Sequence, residues 1–254
     1  IELENEDEEL DQDTVWHFFD NNGRMVMNQI DRKINGSCYT FQNGILQTGW
    51  FRLPETAQAS ADAQSDPDAE TAADSDAQSA EINSALPAIA SYQFYEEDGK
   101  RGNGWYQMEA FIFYIKKGRP YYAATGVQVF TVDGRRFGFN ERGELQTGLQ
   151  SVITEDGQTA NYYFGDDGVM KTGTQPSYDE ELDENPTWVC YTDGGNKGRG
   201  FHGVRDNNVY VQGLRLDADR DLRYAPAQLD GVSYLVGTNG AIQKASSSSK
   251  SASN

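Results

Sequence analysis

One spacing recurs through most of this chain and restricts its fold more than any other feature. An aromatic residue stands four positions before a glycine at Phe19–Gly23, Tyr95–Gly99, Tyr114–Gly118, Phe139–Gly143, Phe164–Gly168 and Tyr191–Gly195. Val236 holds the place before Gly240, and a turn shorter by one brings in Phe41 before Gly44. Five residues further on come Gly49, Gly104, Gly148, Gly173 and Gly200, followed by Trp50, Trp105, Leu149, Thr174 and Phe201. Thr48, Thr147 and Thr172 precede the forward glycine in three copies. Outside residues 55–86 the anchors fall about two dozen residues apart, in roughly eight copies, a period that marks a repeat architecture. One copy, LRLDADRDLRY, has lost its glycine, and Asp217–Arg220 is expected to form its turn.

Each unit reads as two short strands joined by a tight turn, because Asp, Asn and Gly supply the left-handed backbone that hairpin turns require. Side chains alternate along a strand, so Tyr162 and Phe164 share one face and Tyr163 takes the other. A lone hairpin is marginal in water, whereas stacked hairpins cover one another's aromatic faces. The Thr-Gly corner is expected to leave room where a side chain would collide. These features predict an all-β fold, an elongated β-solenoid of stacked short hairpins with a continuous aromatic column as its core.

Repeats are expected over 14–54 and 87–244. Residues 55–86 are Ala, Ser, Asp and Gln with no aromatic, and read as a flexible acidic insertion. Residues 1–13 form an acidic segment, and 245–254 a Ser-rich tail. The net charge of −19 argues against nucleic acid and anionic membrane surfaces as partners. The longest apolar run, AFIFYI at 110–115, is too short to span a bilayer. The chain begins at Ile1 with no visible signal peptide, as expected of a processed chain or a fragment.

No constellation of catalytic residues is recognisable, so no enzyme activity, cofactor or metal is expected. Cys38 and Cys190 stand far apart, and neither they nor His17 and His202 have metal-site spacing. Neither a nucleophile elbow nor a P-loop occurs, and GGNKGRG at 194–200 sits where a hairpin turn belongs. Asp217, Asp219 and Asp221 have calcium-loop spacing, but Gln228 stands where a bidentate Glu is needed. They read as turn residues.

The stretches 34–50 (INGSCYTFQNGILQTGW), 129–148 (VFTVDGRRFGFNERGELQTG) and 148–173 (GLQSVITEDGQTANYYFGDDGVMKTG) resemble the cell-wall-binding repeat family. That family is known from choline-binding and glucan-binding proteins and from the repetitive ends of clostridial toxins. The resemblance implies a secreted or surface-displayed binding module of a Gram-positive bacterium, attaching its owner to a wall polymer or glycan. It further implies that aromatic residues around the corners take choline by cation–π contact or stack on sugar rings. The candidates are Trp16, Trp50, Trp105, Tyr106, Tyr163, Trp188 and Phe201, led by Trp50 and Trp105 directly after their glycines. Leu149, Thr174 and Leu214 replace Trp at later corners, which makes choline less expected in the second half. A structural stalk or protein-interaction scaffold with degenerate pockets is the alternative.

Overall fold

A computed structural model describes residues 2–3, 15–54, 88–154, 156–176 and 187–244. The expected insertion at 55–86, the Ser-rich tail, and the acidic segment apart from Glu2–Leu3 lie outside the described residues. Every regular element described is a β-strand except one 3-10 turn at Ala88–Ser91. The chain forms two compact units, Ile1–Ala124 with Glu141–Leu145, and Thr125–Asn140 with Gln146–Asn254.

In the first unit three antiparallel pairings succeed one another: Gln29–Ile34 with Ser37–Gln42, Gly49–Arg52 with Tyr92–Tyr95, and Gly104–Met108 with Phe111–Lys116. The second unit continues with Val127–Val132 and Arg135–Asn140, then Gly148–Ile153 and Thr159–Phe164, then Gly173–Pro176 and Thr187–Cys190. Gly203–Arg205 with Asn208–Val211, and Tyr224–Leu229 with Val232–Gly237, complete it. The predicted β-hairpin repeats are thus present in both units.

The longer turns repeat one hydrogen-bond scheme. The carbonyls of Asp20, Glu96, Gly165 and Gly237 accept from the N–H of Gly23, Gly99, Gly168 and Gly240. The carboxylates of Asp98 and Asp167 and the amide oxygen of Asn239 accept from the N–H two residues on. This side-chain bond explains why Asp or Asn precedes the turn glycine. Immediately after the turn, the backbone bridges Phe19↔Met25, Tyr95↔Arg101, Phe164↔Met170 and Val236↔Ile242 recur.

The buried residues at the anchor positions are Phe41, Tyr95 and Ile115 in the first unit, and Phe139, Phe164, Cys190, Tyr210 and Val236 in the second. Tyr95 packs with Phe51 and Leu53, Phe164 with Val152 and Tyr162, and Val236 with Val209 and Leu229. Two expected members are displaced by one residue. Ile115 replaces Tyr114 because Lys117-Gly118 forms a two-residue turn, which changes the distance from glycine to core by one. Cys190 replaces Tyr191 because the following loop is longer, so Cys190 bridges to Gly200 instead of to a residue six ahead. Phe19, at the first copy, remains 36% exposed.

The corner glycines also differ from expectation. A Cβ built at Gly49, Gly104 or Gly148 would meet no atom within 4 Å, so no collision keeps these positions glycine. Their φ angles, +66°, +119° and +71°, do. Close approach occurs instead at some of the turn glycines: a Cβ on Gly99 would lie 2.5 Å from Leu46 Cδ2, and one on Gly198 2.4 Å from Met170 Sδ.

One polar network threads the first unit. The buried Tyr95 hydroxyl meets Thr40 Oγ1 at 2.5 Å and donates to Gln93 Oε1 at 2.8 Å. Asp31 accepts from Gln93 Nε2 at 3.2 Å and from the Arg101 guanidinium at 2.8 Å. Burial pushes the Tyr95 phenol well above its ordinary range.

Candidate functional site

The left-handed backbone at Gly49 turns Trp50 onto a sheet face opposite its cross-strand partner Phe94, their rings 5.2 Å apart and inclined by 58°. The next hairpin covers this pair. Its Phe113 ring meets Trp50 at 5.6 Å and 71°, and its Tyr106 ring meets Phe94 at 4.8 Å. The Trp50 indole N–H donates to Met108 Sδ at 3.2 Å. Gly102 makes the approach feasible, since a Cβ there would stand 2.7 Å from the Phe94 ring.

Strand alternation then carries the arrangement onward. Tyr106 and Phe113 face back toward Trp50, so Trp105 and its partner Tyr114 face the other way. The Trp105 and Tyr114 rings lie 5.0 Å apart at 59°, and Tyr121 lies 5.0 Å from Tyr114. Trp105 is 40% exposed, which gives this corner an accessible indole. At the rim of the first cluster the Tyr106 hydroxyl donates to Glu96 Oε1 at 2.6 Å. Burial, reinforced by that bond, raises the Tyr106 phenol above its ordinary value. Inclined aromatic rings beside a carboxylate suit a desolvated organic cation, and their faces suit the apolar side of a sugar ring.

Trp50, Trp105 and Tyr106 therefore fall in one group of neighbouring hairpins; the other candidates do not join it. Trp16 is 51% exposed with no ring contact among the described residues. Tyr163 is half-buried, opposite Leu149 and 6.3 Å from the Trp188 ring. Trp188 is fully buried: a Cβ on Gly213 would lie 2.2 Å from its ring, so this indole is a core side chain. Phe201 does not follow a corner. The corner is Gly203, at φ +144°, three residues later than the spacing suggested, because the preceding loop is longer. Nor does Leu214 follow one, since Gln212-Gly213 is a two-residue turn.

Sequence reasoning missed Phe94, Phe113, Tyr114 and Tyr121 as members of the ring clusters. The signal was available for two of them, since pairing hairpins from their turns places Phe94 opposite Trp50 and Tyr114 opposite Trp105. In the second unit the corresponding cross-strand pairs are Val129/Gly138, Leu149/Tyr163, Thr174/Val189, Val204/Val209 and Pro226/Leu235. None combines two rings.

Asp217 and the two histidines make the following contacts. Asp217 accepts both Nε and a terminal N–H of Arg215, at 2.7 and 2.8 Å. His17 Nδ1 lies 2.8 Å from the Gly44 carbonyl, and His202 Nε2 lies 3.1 Å from Asp230. No helix among the described residues is long and apolar enough to cross a membrane.

No protein-family model and no curated relative matches the sequence. Among solved structures, CbpJ from Streptococcus pneumoniae TIGR4 superposes with a TM-score of 0.53 at 14% identity, over 94% of this chain and 68% of that one. Choline binding protein F from Streptococcus pneumoniae aligns with a TM-score of 0.48 at 19% identity, over 92% of this chain and 62% of that one. The chain shares its fold with CbpJ, and in this chain that fold is built of β-hairpin repeats.

Proposed function

We propose, from the cell-wall-binding repeat fold and its two aromatic corners, that this chain is a non-catalytic binding module. It attaches its owner to a cell-wall polymer or extracellular glycan, as a secreted or surface-displayed protein of a Gram-positive bacterium. The observation that carries this reading is the pair of corners in the first unit. There Trp50 and Trp105 are each set by a left-handed glycine against an aromatic cross-strand partner. Choline is the first ligand to test, because a quaternary ammonium gains from several inclined rings at once. Sugar stacking is the second.

The test is retention of the purified chain on immobilised choline, on wall preparations and on glucans, with elution by free ligand. Trp50→Ala with Trp105→Ala is expected to abolish retention while the far-ultraviolet circular dichroism stays unchanged. A parent chain that passes unretained through all three matrices overturns the reading.

A scaffold role for the second unit has its own support. Its corner positions hold Leu149, Thr174, Val204 and Pro226, which lack rings but leave Leu149 and Val204 exposed. Such corners suit protein contact better than cation capture.

A further inference from the structure

One aromatic cluster of the second unit, outside the corner pairs, has a cation of the protein's own over its central ring. The Phe201 ring is flanked by Tyr191 at 5.6 Å and 58° and by Tyr210 at 5.9 Å and 76°. It lies against the corner backbone, where a Cβ on Gly203 would stand 3.2 Å from its Cζ. Over the ring, 4.1 Å from its centroid, sits the guanidinium carbon of Arg205. Phe201 is two residues before the corner glycine, where the other copies have Gln47, Gly102, Gln146 and Lys171. Arg205 is two residues after it, where they have Phe51, Tyr106, Gln150 and Gln175. This copy alone among them has an aromatic ring before the corner and a cation beyond it.

We propose that the Tyr191–Phe201–Tyr210 cluster is a cation-binding site filled by the protein's own Arg205, and that removing this side chain opens it to quaternary ammonium ligands. The position 4.1 Å from the ring centroid is where a ligand cation would sit, well inside the roughly 6 Å reach of the interaction. A guanidinium tethered four residues from the ring has a high effective concentration there, and a free cation must displace it. Arg205 is thus the residue that decides whether this cluster takes a free cation. The inference rests on the reading that rings of this fold take cations, which the test examines separately.

The test is isothermal titration with tetramethylammonium chloride on the full chain. The variants are Arg205→Ala, Arg205→Lys and Arg205→Ala with Phe201→Ala, each with Trp50 and Trp105 intact and each with both changed to Ala. In the double-Trp background, Arg205→Ala is expected to gain a saturable site. Its half-saturating concentration should be at least about tenfold lower than for Arg205→Lys, which retains a tethered cation. Adding Phe201→Ala should remove the gained site. Equal titrations for Arg205→Ala and Arg205→Lys, at unchanged melting temperature, overturn the proposal. If the parent binds and loses binding with its two Trp, but Arg205→Ala adds nothing, this inference falls while the proposed function stands. If only the Arg205→Ala chains bind, the inference stands and choline binding at Trp50 and Trp105 falls.

Discussion

The backbone N–H of Leu53 donates to the carbonyl of Ser91 at 2.8 Å, although residues 55–86 lie between them in the chain. The strands on either side, Gly49–Arg52 and Tyr92–Tyr95, pair in register, and the Tyr95–Thr40–Asp31–Gln93 network fastens the second strand to the preceding hairpin. These contacts join described residues on both sides of the acidic stretch. Replacing residues 55–87 by a four-residue Gly-rich turn should leave the fold and choline retention intact. Shortening a loop about eightfold lowers closure entropy by about 2 kcal/mol, so the melting temperature should hold or rise. Loss of the cooperative melt would show that the stretch contributes contacts of its own.

The four tryptophans separate into different roles. Trp188 is enclosed, and Trp188→Ala should cost about 3–5 kcal/mol in urea unfolding through the cavity it leaves. Trp105 is partly exposed, so Trp105→Ala should cost about 1 kcal/mol or less while weakening retention on immobilised choline. The reverse order of stability losses would contradict the assignment of core and surface.

Two glycines should fail for opposite reasons. At Gly148 the obstacle is φ +71° with open space around it, so Gly148→Asn should be tolerated better than Gly148→Val. At Gly138 a Cβ would stand 2.7 Å from Phe164 Cζ, so any side chain should displace a fully buried ring. Gly138→Ala and Gly138→Asn should therefore both destabilise, by about 1–3 kcal/mol in thermal or urea melts.

Alkaline pH should loosen the fold. Burial raises the Tyr95 phenol above its ordinary 10.0 and the Cys190 thiol above its ordinary 9.0. The folded state then holds these protons while the unfolded chain releases them. Their contribution is complete below about pH 9 for the thiol and pH 10 for the phenol, and is lost as pH rises further. The urea midpoint measured from pH 8 to 11 should fall through that range. Tyr95→Phe should flatten the fall while costing about 1–2 kcal/mol at pH 7, where it removes the bond to Gln93.

Turn positions, hairpin pairs and corner glycines were legible in the sequence because each depends on a few neighbouring residues. Asp98, Asp167 and Asn239 bond the backbone two residues on, and glycine is the residue least strained at φ near +70°; no distant contact is needed for either. Which ring ends up inside was decided by the tertiary structure. Strand faces alternate with period two, so a turn one residue shorter exchanges Tyr114 for Ile115 in the core, and a longer loop exchanges Tyr191 for Cys190. Trp105 and Trp188 look alike as letters. They differ because the Gly200 and Gly213 backbones close over one, while the other is left partly open to solvent. The position of Arg205 over Phe201 is likewise invisible in the spacing, since it depends on the true corner lying at Gly203.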